Sequence, residues 1–369
     1  MLKCEFEITL FLQVYMNILI TGIGGPTPIG IAKSILLNGK FKSARLIGVD
    51  SNKYAPGLYN KELFDKTYLI PHSSSDNYWS VLESIISKEH IDYSFVVPEL
   101  EVLKWSSKMK TDRIPCDSLL PDYDVAKVLY DKYEMHHRLI RSNLVPGTIK
   151  VESTEIEKNI GNFPKNTFWV RAGFGAGAIG SFKINKMDDL KAWIKINPHI
   201  KDFIVSEYLP GRNYACKILF YEGKAIRASC AQRIDYLMAH VAPSGISGMC
   251  SRGKLINKRE IVDTSIKALK IIFDGCGQEP HGMFTVDYRE DECGNPKITE
   301  INIRHVSFTL AFALCGANFA EDSLRLYLND SSFDRVFKIY EFDDDYTFIR
   351  GVDAQIQVLK DSEIKSFIS

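Results

Sequence analysis

The chain has 369 residues, of which 45% are hydrophobic, 25% charged and 11% aromatic. This length exceeds one ordinary hydrophobic core, so we expect two or three domains of about 150 residues each. Lys+Arg and Asp+Glu both number 46, and this charge balance argues against nucleic acid or a membrane surface as the main partner. No uninterrupted apolar run reaches the roughly 18 residues of a membrane span.

The cysteines and the N-terminus bear on location. The eight cysteines are scattered and include no C-x-x-C pair. In a chain of this size they predict reduced, mostly buried thiols and a cytoplasmic protein. Residues 1–16 superficially resemble a targeting segment, but Glu5 and Glu7 interrupt the apolar run and no small-residue cleavage site follows. Because Met16 directly precedes a strong strand pattern, we interpret the first fifteen residues as an added strand or as no part of the native product.

From Asn17 onward, short apolar runs alternate with amphipathic stretches. The pattern predicts strands at 17–22, 44–50, 67–72 and 93–98, and helices at about 28–37, 79–90 and 99–109. β-Branched apolar runs that alternate with helices predict a parallel sheet covered on both faces. We place this first, α/β domain at residues 1–115.

The pattern changes after a long helical stretch at 122–143. Strand pairs with hairpin-like turns follow, such as TFWVRAG with GSFKIN, and Gly223 and Gly294 supply turn residues. Helices are predicted at 259–275 and about 307–328, and the last forty residues alternate like strands. Antiparallel sheet with helices to one side is an α+β arrangement.

The first candidate for chemistry is the turn TGIGGPTPIG at residues 21–30. Backbone N–H groups at such a helix N-terminus can bind an anion. The dinucleotide fingerprint requires G-x-G-x-x-G, and here Gly22 and Gly24 fit but Thr27 occupies the third position. Asp50 also lies further downstream than the usual ribose-binding acid. A nicotinamide site is therefore the weaker interpretation, and a tight turn that lets strand and helix pack is the stronger one.

A second glycine-rich segment follows the predicted strand that ends with Arg171. This glycine loop, residues 173–180, contains Gly173, Gly175, Gly177 and Gly180. Glycines remove Cβ atoms where the backbone must close over a bulky, charged group. A flexible hairpin loop is the alternative. Downstream, IVSEYLPGRNY at 204–214 is a strand that carries one acid and then a turn.

Two carboxylates lie in neighbouring predicted strands, Asp287 in FTVDY and Glu300 in ITEIN. Antiparallel pairing can bring both onto one face, with Asn302 and Arg304 continuing the row. Mg²⁺ binds through a few carboxylates and takes its other ligands from water and phosphates. The row predicts a magnesium site, and a solvated strand face is the alternative.

In this order, the segments resemble the ATP-grasp superfamily, most closely its carbamoyl-phosphate-synthase-like branch. The resemblance covers about residues 17–328 and rests on NILITGIGGP, the Asp131-Lys132 pair, the glycine loop, SEYLPG and EINIR at 300–304. It implies a Rossmann-like pre-ATP-grasp domain at 1–115 followed by a two-subdomain ATP-grasp fold. The central subdomain with the glycine loop would span 116–205, and the C-terminal subdomain with the metal site would span 206–369.

The resemblance also implies roles around the phosphates. Lys132 would reach phosphate oxygens, and the glycine loop would close over the β- and γ-phosphates. Arg171 stands where the family usually has a second phosphate-binding lysine, and it replaces a point charge by a planar fork. Arg304 would stabilise the transferring phosphoryl group. One or two Mg²⁺ ions, with Mn²⁺ as an alternative, would be held by Asp287, Glu300 and Asn302.

Further roles concern the nucleoside and the substrates. Glu207, Tyr208 and the backbone near Leu209 would hold the adenine edge, and Asn213 matches a ribose-contacting position that is often glutamate. Arg233, or Arg252 beside the segment PSGISGMCSR (243–252), would hold a substrate carboxylate by a bidentate pair. Surface arginines near a mobile loop are the equal alternative for both. None of the histidines shows metal-ligand spacing.

The function implied is an ATP-dependent carboxylate–amine ligase. ATP would convert a small carboxylate to an acyl phosphate, which an amine substrate attacks, with release of ADP and phosphate. A small-molecule kinase of the same fold and a non-catalytic nucleotide-binding regulator remain alternatives, with an NAD(P)-dependent oxidoreductase more distant. A homodimer is left open.

Overall fold

The computed structural model describes residues 14–37, 39–152, 167–175, 178–343, 345–351 and 365. Its first sheet has five strands in the order β3-β2-β1-β4-β5, and every pairing is parallel, as predicted. The strands are β1 (Asn17–Thr21), β2 (Arg45–Asp50), β3 (Lys66–Leu69), β4 (Tyr93–Phe95) and β5 (Asp117–Ser118). The associated helices are α1 (Pro26–Leu37), α2 (Tyr78–Glu89), α3 (Glu99–Thr111) and a 3₁₀ turn, Pro56–Tyr59.

The prediction of one helix over 122–143 was wrong. The structure has α4 (Tyr123–Tyr130), α5 (Lys132–Leu139) and a 3₁₀ turn, Ile140–Ser142. Asp131 separates the two helices because its backbone is extended, at φ −82° and ψ 104°, and its side chain accepts hydrogen bonds from the N–H groups of Tyr133 and Glu134. Asp is among the preferred residues at a helix N-cap. The break makes Lys132 the first residue of α5.

The second sheet is antiparallel, with four strands in the order β6-β9-β7-β8. They are β6 (Thr148–Glu152), β7 (Phe168–Ala172), β8 (Phe182–Ile184) and β9 (Asp202–Glu207). Helix α6 (Met187–Ile196) covers this sheet with Leu190 and Ile194. These side chains form a hydrophobic cluster of their own, so the sheet is a separate packing unit.

The third sheet has the order β14-β13-β10-β11-β12-β16, with β15 beside β11. Its strands are β10 (Asn213–Tyr221), β11 (Lys224–Tyr236), β12 (Cys250–Ile256), β13 (Gly282–Glu290), β14 (Pro296–Asn302), β15 (Lys338–Ile339) and β16 (Thr347–Ile349). Helix α7 (Arg259–Cys276) packs on one face through residues such as Leu269 and Phe273. A 3₁₀ turn, Ala239–Val241, lies before β12.

The predicted helix at about 307–328 is two helices, α8 (Thr309–Leu314) and α9 (Phe319–Tyr327). Gly316 between them has a φ of +88°, which breaks the helical path. Helix α1 packs against α9 through Ala320 and Leu324, and Asn318 Nδ2 donates to Ser34 O at 2.8 Å. This contact brings the N-terminal end of α1 towards the third sheet.

No helix in the described part of the chain is both long and apolar enough to cross a membrane. The cysteines within the described residues are all free thiols, and four of them are buried.

Candidate active site

A cavity of about 360 Å³ lies between the second and third sheets and reaches the N-terminal turn of α1. Ligand sites commonly have volumes of roughly 300–1,000 Å³. The predicted site residues that line it are Lys132, Arg171, Gly175, Glu207, Tyr208, Leu209, Asn213, Arg233, Asp287, Glu300, Asn302 and Arg304. Gly173 and Gly180 lie beside it without lining it, and Gly177 falls outside the described residues. The fold thus gathers side chains from one helix, six strands of two sheets and the connecting loops into one space.

Lys132 connects the glycine loop to a carboxylate. Its Nζ donates to Gly175 O at 2.5 Å and lies 3.4 Å from Glu300 Oε1. The lysine is buried, and Gly175 has a φ of +93°, a conformation that favours glycine. Lys132 therefore links the glycine loop, through Gly175, to the carboxylate of Glu300 in the cavity.

The predicted carboxylate row is formed by β13 and β14. Asp287 is paired in register with Glu300, and Thr285 with Asn302. Asn302 Nδ2 donates to Asp287 Oδ2 at 3.2 Å, which fixes the orientation of the amide. Burial raises the pKa of Asp287, although the neighbouring Arg233 opposes this shift.

Glu300 has a different electrostatic environment. Burial acts to raise its pKa, but the positive charges of Lys132, Arg171 and Arg304 outweigh burial, so the pKa is lowered. Arg171 Nη1 lies 4.0 Å from Glu300 Oε2, and its Nη2 donates to Thr299 O at 2.6 Å. Glu300 is consequently an ionised carboxylate among cations.

Arg304 is oriented by a residue that the sequence analysis missed. Its Nη2 lies 3.3 Å from Glu99 Oε1, and its Nη1 donates to His305 O at 3.0 Å. Glu99 is the first residue of α3, directly after β4 and Pro98. Only the docking of the first sheet against the third brings this acid to Arg304, so no local pattern could have indicated it.

The segment after Arg304 contacts Lys217, a second residue that the sequence analysis did not identify. This lysine is fully buried in β10, and its Nζ lies 2.8 Å from His305 Nδ1 and 2.7 Å from Thr309 Oγ1. Burial lowers the pKa of Lys217 well below its usual value. A lone lysine in the apolar run ACKILF was a signal that could have been noticed. His305 faces this lysine and does not line the cavity.

Residues 207–209 form the connection between the second and third sheets. Glu207 Oε2 accepts a hydrogen bond from Gly147 N at 3.1 Å, and Lys183 Nζ lies 4.3 Å from the centre of the Tyr208 ring. Leu209 is buried. Asn213 Nδ2 donates to Tyr236 OH at 2.7 Å. These contacts place a polar edge and an apolar wall at one end of the cavity.

The two arginines expected to bind a substrate carboxylate are placed differently. Arg233 pairs with Asp287 inside the cavity, whereas Arg252 is half exposed, pairs with Asp235 at 2.6 Å and does not line the cavity. The predicted substrate loop does contribute Ile246 and its three following residues to the lining. Lining residues that the sequence analysis did not assign to this site include Pro26 and Thr27 of the first glycine turn, and also His136, Arg289 and Ser307.

Among the described residues, no group of three or more His, Cys, Asp or Glu side chains is placed to hold a metal ion. A cation here would have to combine at most two carboxylates with other oxygens. That donor set suits Mg²⁺, which usually keeps water and phosphate ligands.

No protein-family model matches the sequence, and no curated protein matches it. Solved structures share its fold. N5-carboxyaminoimidazole synthetase from Staphylococcus aureus complexed with ADP is 16% identical, with a TM-score of 0.67 over 92% of this chain and 83% of that chain. L-amino acid ligase from Bacillus licheniformis is 14% identical, with a TM-score of 0.62 over 85% and 74% of the two chains. A biotin carboxylase–ATP complex from Campylobacter jejuni is 14% identical, with a TM-score of 0.63 over 87% and 72%. These structures have the ATP-grasp fold, and the chain therefore has it too.

Proposed function

We propose that the protein is an ATP-dependent ligase that activates a carboxylate as an acyl phosphate and joins it to an amine-type nucleophile, releasing ADP and phosphate. The observation that carries the proposal is the cavity in which an ionised Glu300 and the amide of Asn302 face a set of buried or half-buried cations: Lys132, Arg171, Arg233 and Arg304. Such a set matches the charge of a nucleoside triphosphate with a divalent cation.

The different character of the two ends of the cavity supports one orientation of the nucleotide. Residues 207–209 offer backbone groups and the buried Leu209 to adenine, while Lys132 and Arg171 lie towards the glycine loop and suit phosphates. Similar structures are described in complex with ADP and with ATP. The proposed domains at 1–115, 116–205 and 206–369 place the nucleotide between the last two.

Mg²⁺, or Mn²⁺ in its place, would be held by oxygens from Glu300, Asn302 and Asp287. The fit rests on the ionised state of Glu300 and on the register that sets the three side chains side by side. When bound, the ion supplies positive charge that offsets charge developing on the phosphates.

The reaction follows from the charge pattern. A carboxylate oxygen attacks the γ-phosphorus of ATP, the bond to the bridging oxygen breaks, and ADP leaves. The amine then attacks the acyl carbon, phosphate departs, and the ammonium formed loses a proton. Arg304, held by Glu99, is positioned to stabilise the transferring phosphoryl group, and closure of the glycine loop would exclude water from the acyl phosphate.

The carboxylate and the amine are proposed to enter at the end of the cavity lined by Pro26, Thr27 and Ser307. The strand order of the first sheet reverses between β1 and β4, and Pro26 and Glu99 follow the carboxyl ends of these strands. Ligands of open parallel sheets commonly bind at such switch points. A screen for ADP release would identify both substrates.

The test combines binding, turnover and trapping. MgATP, and not NADH, is expected to raise Tm. ADP release is then screened across amino acids and small carboxylic acids, with hydroxylamine added to trap an acyl phosphate as hydroxamate. Hydroxamate supports the ligase, whereas ADP release with a phosphorylated product and no hydroxamate supports a kinase. Binding without any turnover supports the regulatory alternative, and protection by NADH alone would overturn the nucleotide site.

Glu300→Gln is expected to lower ADP release by about 100-fold or more, because it removes the ionised ligand. Its matched control is Glu292→Gln, an exposed residue in the turn of the same hairpin, which should retain activity. Circular dichroism and Tm check that both variants are folded. Full turnover in folded Glu300→Gln would remove the metal assignment.

A further inference from the structure

Both carboxylate oxygens of Asp287 already have partners. Oδ1 accepts from Arg233 Nη2 at 2.7 Å, and Oδ2 accepts from Asn302 Nδ2 at 3.2 Å. The side chains of Asp287 and Arg233 are only 13% and 11% exposed. A cation approaching this carboxylate would therefore meet a buried guanidinium within contact distance, and like charges so close repel strongly.

Arg233 is held in this position by its surroundings. Its Nη1 donates to Asn213 Oδ1 at 3.4 Å, and its guanidinium lies 5.3 Å from the centre of the Phe308 ring. Asn213 is itself held by Tyr236 OH and is the register partner of Arg233 across β10 and β11. An arginine that is hydrogen-bonded on two sides and lies over an aromatic ring is a built part of the site.

Glu300 differs in the feature that matters for a metal. Its nearest cationic nitrogens, on Lys132 and Arg171, lie at 3.4 and 4.0 Å, whereas Arg233 lies 2.7 Å from Asp287. The amide nitrogen of Asn302 points to Asp287, so its amide oxygen is free of that bond and available as a ligand. One carboxylate and one amide oxygen, completed by phosphates and water, hold one Mg²⁺.

We propose that this protein binds a single divalent cation with ATP, through Glu300 and Asn302, and that Arg233 occupies the position at Asp287 that a second cation would need. Asp287 is then a positioning residue for Arg233 and not a metal ligand. The guanidinium supplies a permanent positive charge beside the phosphates. The inference rests on the proposed ATP site. It reduces the proposed metal ligands from three side chains to two, Glu300 and Asn302.

The experiment counts Mn²⁺ by the electron paramagnetic resonance signal of the unbound ion. The full-length protein is held in excess over a non-hydrolysable ATP analogue, so that all nucleotide is bound. We expect one Mn²⁺ per bound nucleotide in the wild type. Two Mn²⁺ ions per nucleotide would overturn the inference while leaving ATP binding intact, and failure to bind the analogue would instead overturn the proposed function.

Variants separate the two carboxylates. Asp287→Asn keeps the shape and the hydrogen bond from Arg233, but its amide nitrogen cannot accept from Asn302 Nδ2. Because the proposal excludes this carboxylate as a ligand, the Kd of Mn²⁺ should change by less than about 3-fold, whereas Glu300→Gln should raise it by about 30-fold or more. A larger effect of Asp287→Asn than of Glu300→Gln would contradict the assignment. Arg233→Met frees Asp287 and should admit a second Mn²⁺, while the control Arg252→Met, an exposed arginine outside the cavity, should keep the count at one. If folded Arg233→Met still binds one ion, the proposed role of Arg233 is wrong.

Discussion

Two glycine-rich segments lie near the same cavity and require glycine for different reasons. In the first-sheet turn, residues 22–25, a Cβ on Gly22 would lie 2.6 Å from Pro98 Cγ, and one on Gly24 would lie 2.8 Å from Ala55 Cβ. In the glycine loop, a Cβ on Gly173 would have its nearest described neighbour, Asp202 O, at 3.6 Å. Close packing therefore explains why glycine is required at positions 22 and 24, but it does not explain the glycine at position 173.

The glycine loop is itself divided. Gly180 has a φ of +64° and a Cβ there would lie 2.5 Å from Ile200 Cδ1, so this end is anchored by packing. Gly175 also has a positive φ, yet a Cβ would meet Ile179 Cδ1 at an ordinary 3.7 Å. Space left open at residues 173–175 is what a loop requires if it is to close on a ligand.

The largest effect is expected from Gly22→Ala. Alanine would combine a strained left-handed backbone, at φ +69°, with a clash against the Pro98 ring. We expect a loss of about 4 kcal/mol in the free energy of unfolding, measured by urea denaturation. The control is Gly25→Ala, whose Cβ would have its nearest neighbour at 3.5 Å and should lose less than about 1 kcal/mol. Equal stability of the two variants would remove the packing explanation for the first-sheet turn.

The free energy of unfolding is expected to change with pH by about 3 kcal/mol, because of Glu101 near the same turn. Burial raises the pKa of Glu101 from 4.5 to about 7, and the charge of Asp50, whose carboxylate holds Gly24 N at 2.7 Å, adds to the shift. Because the folded state binds this proton more tightly than the unfolded state, stability is greatest below the unfolded pKa and falls as pH rises to about 7. Glu101→Gln should flatten the pH dependence of the free energy of unfolding between about pH 4.5 and pH 7. An unchanged slope would show that another group causes it.

The smallest effect on stability is expected from Gly173→Ala. The free energy of unfolding should change by less than about 1 kcal/mol, while the KM for MgATP rises by about 10-fold because the loop closes less well. Gly39→Ala, where no described atom lies within 4 Å of the added Cβ, serves as the control and should change neither quantity. A loss of stability as large as that of Gly22→Ala would abolish the contrast between the two segments.

Sequence patterns were informative where the structure depends on near neighbours. Alternation along FTVDY and ITEIN correctly placed Asp287 beside Glu300, since antiparallel strands joined by a short hairpin pair in a narrow range of registers. The same reasoning failed at Asp131, where apolar spacing continues through the helix break. A capping side chain ended one helix and began the next, and only its hydrogen bonds distinguish it from an acid on a helix surface.

By itself, the sequence determined where the charged residues and the conformationally free glycines lie along the chain. Their order is what makes the chain resemble an ATP-grasp protein. Tertiary structure alone decided which charges meet. Arg233 and Asp287 are 54 positions apart, and Arg171 reaches Thr299 O across 128 positions. Arg304 finds Glu99 only because the first sheet docks on the third. Side-chain alternation is a local property of each strand, whereas an ion pair between elements depends on how whole sheets and helices pack against one another.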